Sequence, residues 1–233
     1  MKDGDYMRAL VIVDIHKSES ALEKVKKLID KQKPDLLIIA GDITTFGPLA
    51  FAERFLAGLP EIKTLALPGN CDHREILTVI DHSQAINLHG RNEKIDDILF
   101  VGLGGSNATP FNTPFELTEK EIYERLDKIM APGAILVLHF PVKGHLDEVP
   151  RGEHAGSEAA LRIVQKYQPS LVISGHIHET RGVKVDDNGV KFVNPGALKD
   201  GFAAIIEITP DMGLNTKDQV MKFNCEVRLL AED

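Results

Sequence analysis

The chain has no tryptophan, three tyrosines and only two cysteines, Cys71 and Cys225, among its 233 residues. Disulfide frameworks belong to short, cysteine-dense secreted chains, so this spacing excludes one as the basis of the fold. No apolar run approaches the ~20 residues needed to cross a bilayer. The start, Met1-Lys2-Asp3-Gly4-Asp5-Tyr6-Met7, lacks the charged head, apolar stretch and cleavage site of a secretion signal. A cytoplasmic protein with no membrane partner is expected. Basic excess is missing too: 27 Lys and Arg stand against 35 Asp and Glu, a formal net charge of −8. That balance argues against nucleic acid as a partner, since no cationic footprint for a polynucleotide backbone is present. Internal repeats, low-complexity tracts and linkers are also absent, so residues 1–233 are expected to form a single domain.

What is present is an alternation of apolar runs and helical patterns. Strands are predicted over Arg8–Val13, Leu36–Ala40 and Lys63–Leu67, and helices over Ser18–Lys31, Leu49–Leu59 and Asp72–Ile80. Such alternation predicts βαβ units with helices packed outside a parallel or mixed sheet. Shorter strands follow at Ala85–Leu88, Lys94–Ile95 and Ile98–Leu103. Next come a helix over Glu119–Met130, a strand over Ala134–Leu138, a helix over Ser157–Lys166 and a strand over Ser170–Ser174. Asp186-Asp187-Asn188-Gly189 reads as the turn of a hairpin within Val183–Phe192. Late strands are expected over Phe202–Ile208 and Val220–Leu229.

The chemistry-bearing residues fall directly after buried runs. Asp14-Ile15-His16 follows LVIV, Gly41-Asp42 follows LIIA, and Gly69-Asn70-Cys71-Asp72 follows LALP. His139 follows ILVL, and Gly175-His176-Ile177-His178 follows LVIS. In open α/β sheets, sites form outside the carboxyl ends of strands. Imidazole with carboxylate suits Mn²⁺, the expected ion, with Fe²⁺, Ni²⁺, Zn²⁺ or Mg²⁺ as alternatives. The two-residue spacings Asp14/His16 and His176/His178 would point both side chains to one side of an extended chain. A carboxylate such as Asp42 can bridge two cations, which together clamp the attacking and departing oxygens at phosphorus.

In order, these groups resemble the calcineurin-like metallophosphoesterase superfamily, with its D-x-H, G-D, G-N-H-[DE], lone H and G-H-x-H pattern. The following Val193-Asn194-Pro195-Gly196 matches as well. The resemblance implies an α/β fold, a four-layer α/β/β/α sandwich of two mixed sheets flanked by helices. It also implies two divalent metal ions: Asp14, His16 and His178 on one, Asn70, His139 and His176 on the other, Asp42 between them. The implied reaction is hydrolysis of a small or nucleotide-like phosphoester by attack of a metal-bound hydroxide on phosphorus.

One position departs from the pattern. Cys71 stands where the family carries a catalytic His, and a thiol is a weak hydrogen-bond donor. This GNCD variant resembles a branch related to bacterial cyclic-nucleotide phosphodiesterases, which favours a diester substrate. The loops Gly102–Ser106 and Thr109–Pro114, and the segment Glu153–Ser157, resemble that branch too. His154 is thereby a candidate substrate-binding residue, while Ser157 also reads as a helix cap. His73 is a candidate proton donor, and equally a surface residue opening a helix. If His73 or His154 supplies the missing acid, the enzyme would be a phosphomonoesterase; a non-catalytic metal-binding scaffold is the third reading. A homodimer is compatible with the sequence. Read one at a time, Asp14 and Asp42 also fit helix caps, Asn70 a turn and His139 a structural histidine. His82, His89 and His145 read as surface or loop residues, and Cys225 as core.

Overall fold

Strand β1 (Met7–Ile12) is buried along nearly its whole length, and its side chains serve two cores in alternation. Ala9, Val11 and Val13 belong to the core between two sheets, whereas Leu10 and Ile12 lie under helices. A strand covered on both faces needs no polar partner residues, which is why its sequence is continuously apolar. The structure, a computed structural model, describes residues 6–211 and 221–232.

Helix α1 (Ala21–Gln32), β2 (Leu36–Ala40), α2 (Leu49–Ala57), β3 (Lys63–Leu67), α3 (Ile76–Asp81) and β4 (Ile86–Asn87) follow. Strands β1 to β4 run parallel. The antiparallel strands β11 (Phe202–Pro210) and β12 (Phe223–Ala231) complete a six-stranded sheet ordered β12-β11-β1-β2-β3-β4. The second sheet comprises β5 (Arg91–Ile95), β6 (Ile98–Leu103), β7 (Ile135–Leu138), β8 (Leu171–Ile173), β9 (Gly182–Val185) and β10 (Lys191–Asn194). Its order is β5-β6-β7-β8-β10-β9, parallel at the centre and antiparallel at both edges.

Helices α4 (Glu119–Ile129) and α5 (Glu158–Tyr167) cover the second sheet through a core that includes Phe115, Leu136, Phe140, Ile163 and Phe192. The expected arrangement of two mixed sheets between helices is therefore the one found. Thr118 caps α4 in a reciprocal box with Glu121, and Ser157 caps α5 by accepting from the Ala160 amide. The hairpin is also present, with both Asn188 and Val190 amides donating to the Asp186 carboxylate.

Several element boundaries differ from expectation. Helix α3 starts at Ile76 rather than Asp72, because the Asp72 carboxylate is engaged in the core rather than at a cap. Strand β5 extends back to Arg91 across a polar stretch, being an edge strand with one solvated face. The last strand begins at Phe223; Val220, where it was expected to begin, lies outside the described residues. Among the described residues no helix is long and apolar enough to cross a membrane.

Candidate metal centre

The two sheets meet at one end of the sandwich. The His139 ring at the end of β7 donates through Nδ1 to the Ala40 carbonyl at the end of β2 (2.9 Å). The Gly175 amide after β8 donates to the His139 carbonyl (2.8 Å). Amides of Asp14 and His16, just beyond β1, donate to the carbonyls of Gly41 and Asp42 (3.1 and 2.8 Å).

Within these turns Asp14, His16, Asp42 and His176 all adopt positive φ, between 48° and 69°. Non-glycine residues take this conformation at a cost, and such strain concentrates at functional sites. It also corrects the reading of Asp14-x-His16 as extended chain. Left-handed bends, not period-two alternation, bring the two side chains to one point. His178 likewise opens a short 3₁₀ turn, His178–Thr180, rather than continuing a strand.

At the centre lies the Asp14 carboxylate, fully buried. One oxygen, Oδ2, accepts the His176 amide (3.1 Å). The other, Oδ1, makes no hydrogen bond. It is surrounded instead by three imidazole Nε2 atoms: His178 at 3.6 Å, His16 at 3.8 Å and His139 at 4.0 Å. Asp42 presents Oδ2 to His16 at 3.6 Å and Oδ1 to His139 at 3.4 Å. The Nε2 atoms of His16 and His178 face each other at 3.2 Å, and the His176 ring packs edge-on against His139 with centroids 5.3 Å apart. His139 Nε2 also points at Asn70 Oδ1 (3.0 Å).

This donor set fits divalent cations. A buried carboxylate oxygen without a hydrogen bond is costly unless something positive sits beside it. Since His139 Nδ1 must carry a proton to donate to Ala40, its Nε2 faces acceptor oxygens with either a second proton or a cation between. Burial opposes that second proton, but the Asp42 charge raises the His139 pKa to about 9; burial likewise works against the Asp42 anion, yet the facing His139 holds that carboxyl well below its usual range. His176 moves the other way, to about 4, chiefly by burial and then by repulsion from His139. Burial lowers His16, whereas the Asp14 carboxylate beside it raises His178. His16 and His178 are the partly solvent-facing members, with side-chain exposures of 15% and 29% against 0% for Asp14 and His139. The mouth of the site is on their side.

One supporting feature escaped the sequence reading. Asp72, fully buried, accepts the amides of Ile43 (3.1 Å), Thr44 (2.7 Å) and Gly69 (2.9 Å) and the Thr44 hydroxyl (2.8 Å). It thus ties the Asp42 loop to the Asn70 loop. Burial and the nearby Asp42 charge push its pKa up to about 6, and the four donors counter them. The only signal was its place directly after Asn70-Cys71. The glycine before Asn70 allows the close approach its type suggests: at Gly69 any Cβ would lie 2.0 Å from Asp42 Oδ1, so no other residue fits.

The remaining candidates divide. Cys71 stays in the site: its Sγ, a His16 ring nitrogen and an Asp42 oxygen lie within 4.8 Å of one another. Its amide donates to Asp42 Oδ1 (2.8 Å), and burial together with Asp42 pushes the thiol pKa up, so the group is a neutral thiol. His73 is exposed and outside the metal-competent clusters among the described residues. His154 also lies outside those clusters, paired through Nδ1 with Asp147 (2.7 Å). Two histidines read as surface residues are more integrated than expected. His145 stacks on Phe192 at 3.9 Å, and His89 accepts the Gly104 amide through Nδ1. Cys225 is buried, as expected.

With two mixed sheets, flanking helices and Asp, Asn and His gathered at their carboxyl ends, the fold and site define a phosphoesterase. Residues 7–180 match the family Calcineurin-like phosphoesterase, and the chain belongs to it. An uncharacterized protein of Methanocaldococcus jannaschii is 35% identical over 199 residues, covering 82% of this chain and 88% of its own. Among solved structures, TT1561 of Thermus thermophilus superposes with a TM-score of 0.67 at 20% identity, covering 94% of this chain and 98% of its own. A dimetal phosphatase from Danio rerio gives a TM-score of 0.61 at 11% identity, covering 97% and 98%. These likenesses extend to the fold.

Proposed function

We propose that this protein is a di-metal phosphodiesterase acting on a small or nucleotide-like phosphodiester. Asp14, His16 and His178 would hold one cation, Asn70, His139 and His176 the other, and Asp42 would reach both. The observation that carries the reading is the unpartnered Asp14 Oδ1 ringed by three Nε2 atoms, an arrangement of charge that a cation satisfies. Bound cations supply Lewis acidity towards the phosphoryl oxygens and a water-derived nucleophile at neutral pH. The chain's own residues do the rest. Ala40 fixes the His139 tautomer, Thr45 Oγ1 orients His16 through Nδ1 (3.2 Å), and Asp72 holds the Asp42 and Asn70 loops in register. The partly exposed pair His16 and His178 leaves room for substrate on that face.

Preference for a diester rests on Cys71. A neutral thiol held beside Asp42 is a poor proton source for an alkoxide leaving from a monoester. Purified protein loaded with Mn²⁺ should hydrolyse an aryl phosphodiester with a higher kcat/KM than the matching aryl monoester. Faster monoester turnover would reverse the assignment. Cys71→His is expected to raise monoester turnover about 10-fold or more by restoring a proton donor. Unchanged monoester rates in that variant would show that the cleft has another donor already.

Metal should also stabilise the fold. Cations at about 100 times their Kd contribute roughly 2.7 kcal/mol per site. For a chain of this size with two sites, chelation by EDTA should lower the thermal midpoint by about 10–20 °C, which differential scanning calorimetry reads directly. A midpoint indifferent to chelator and to added Mn²⁺ would count against the cation site.

A further inference from the structure

The loop that follows Asp42 is tied to the metal centre residue by residue. Thr44 donates its amide and hydroxyl to the buried Asp72 carboxylate (2.7 and 2.8 Å). Thr45 Oγ1 meets His16 Nδ1 at 3.2 Å. The Phe46 amide donates to the Cys71 carbonyl (2.9 Å). The Gly47 amide returns to Thr44 Oγ1 (3.3 Å), and a Cβ added at Gly47 would meet the His73 ring at 3.8 Å. Residues 44–47 are thus held against the turn over residues 70–73 on one side and against His16 on the other.

Within that loop Phe46 has a left-handed backbone, φ 53°, and is 56% exposed. Positive φ strains a bulky residue, and a phenyl ring left in water forgoes the burial that ordinarily accounts for its presence. Packing of the fold therefore does not explain this ring, but its position does. By way of Thr45, standard bond lengths put the Phe46 nitrogen within about 8 Å of the His16 ring. The same nitrogen is one hydrogen bond from Cys71, whose Sγ lies within 4.8 Å of a His16 ring nitrogen and an Asp42 oxygen. His16 is on the open side of the site, so the exposed ring stands at the mouth.

We infer that Phe46 is a stacking platform at the mouth of the metal centre, and that the substrate carries a nucleobase or a comparable planar aromatic group. The inference rests on the phosphodiesterase reading above and narrows its substrate class. Aromatic faces hold planar groups by stacking, with little regard to which base is offered. The reach fits as well. With the phosphate at the cations, the base is the far end of a nucleotide and extends outward past the ribose, to the rim where the ring lies. Because the backbone of residues 44–47 is already fixed, placing the ring against a base costs little ordering on binding. An aliphatic phosphodiester has no face to offer and gains nothing from Phe46. Phe46 is therefore a specificity-determining residue and takes no part in bond breaking.

Adenosine 5′-monophosphate and ribose 5-phosphate share the phosphate and the sugar and differ by the base, so their relative affinity reads the platform without turnover. In titration calorimetry, Mn²⁺-loaded parent protein should bind the nucleotide about 10-fold or more tighter than the sugar phosphate. Phe46→Ala should bring the two affinities within about 2-fold of each other, whereas Phe46→Trp should keep the gap. Since the ring is exposed, neither change removes core packing, and both variants should keep the metal content of the parent. On bis(4-nitrophenyl) phosphate, Phe46→Ala should raise KM about 10-fold with kcat nearly unchanged. Equal affinities in the parent, or a gap that survives Phe46→Ala, would overturn the platform; turnover of the diester would then leave the phosphodiesterase reading standing. Protein inert towards the diester, yet with an affinity gap that Phe46→Ala abolishes, would overturn the diesterase reading and keep the platform.

Discussion

Asp42→Asn is expected to lower turnover of an aryl phosphodiester by about 10³-fold or more, equivalent to roughly 4 kcal/mol of lost transition-state stabilisation. The reason is geometric as well as electrostatic. Among the described residues Asp42 is the carboxylate whose two oxygens each face an imidazole, His16 at 3.6 Å and His139 at 3.4 Å. The asparagine is nearly isosteric and can still accept the Cys71 amide, so the loop conformation should survive. What disappears is the negative charge between two cation sites, leaving neutral amide atoms where both were served. Metal analysis of the purified variant should accordingly find fewer than two ions per chain. A variant retaining both ions and parental turnover would remove Asp42 from the bridging position and with it the di-metal reading.

A second large effect is expected some distance from the reacting atoms. Asp72→Ala should destabilise the protein by about 3–5 kcal/mol, because four buried donors lose their acceptor at once. At this chain length that corresponds to a thermal midpoint lower by roughly 6–20 °C. Metal affinity should fall with it, since the loops bearing Asp42 and Asn70 are held together by this one carboxylate. Asp72→Asn restores part of the acceptor capacity but turns an amide towards one of the backbone N–H groups, so an intermediate loss is expected. Parental stability in the alanine variant, measured by chemical denaturation, would contradict this account of Asp72.

Much of the fold was legible because burial on both faces leaves a plain record. Leu10-Val11-Ile12-Val13, Leu37-Ile38-Ile39-Ala40 and Ile135-Leu136-Val137-Leu138 are buried throughout, and each is followed within two residues by one of metal-ligating type. Edge elements were harder to read. Strand β5 (RNEKI) owes its place to pairing with β6 rather than to any apolar pattern of its own. Helix α3 was read four residues too early because an aspartate after a strand resembles a cap, whereas Asp72 is drawn inward by donors from another loop. Such donors belong to residues 43, 44 and 69, and no local window contains them all.

The candidate site shows the same division. The residue types at five strand ends, and the cysteine standing in the third group, were set by the linear order of the chain and needed no coordinates. Only the tertiary structure decided that Asp14 Oδ1 is left without a hydrogen bond among three imidazoles. It also decided that the bends there are left-handed, that Gly69 admits no side chain, and that His154 is paired with a buried aspartate. Composition and order record which chemistry is carried, because each residue brings its own donors and charges. Which atoms remain unpaired depends on contacts between residues as far apart as Asp14 and His176, and these exist only once the two sheets have packed together.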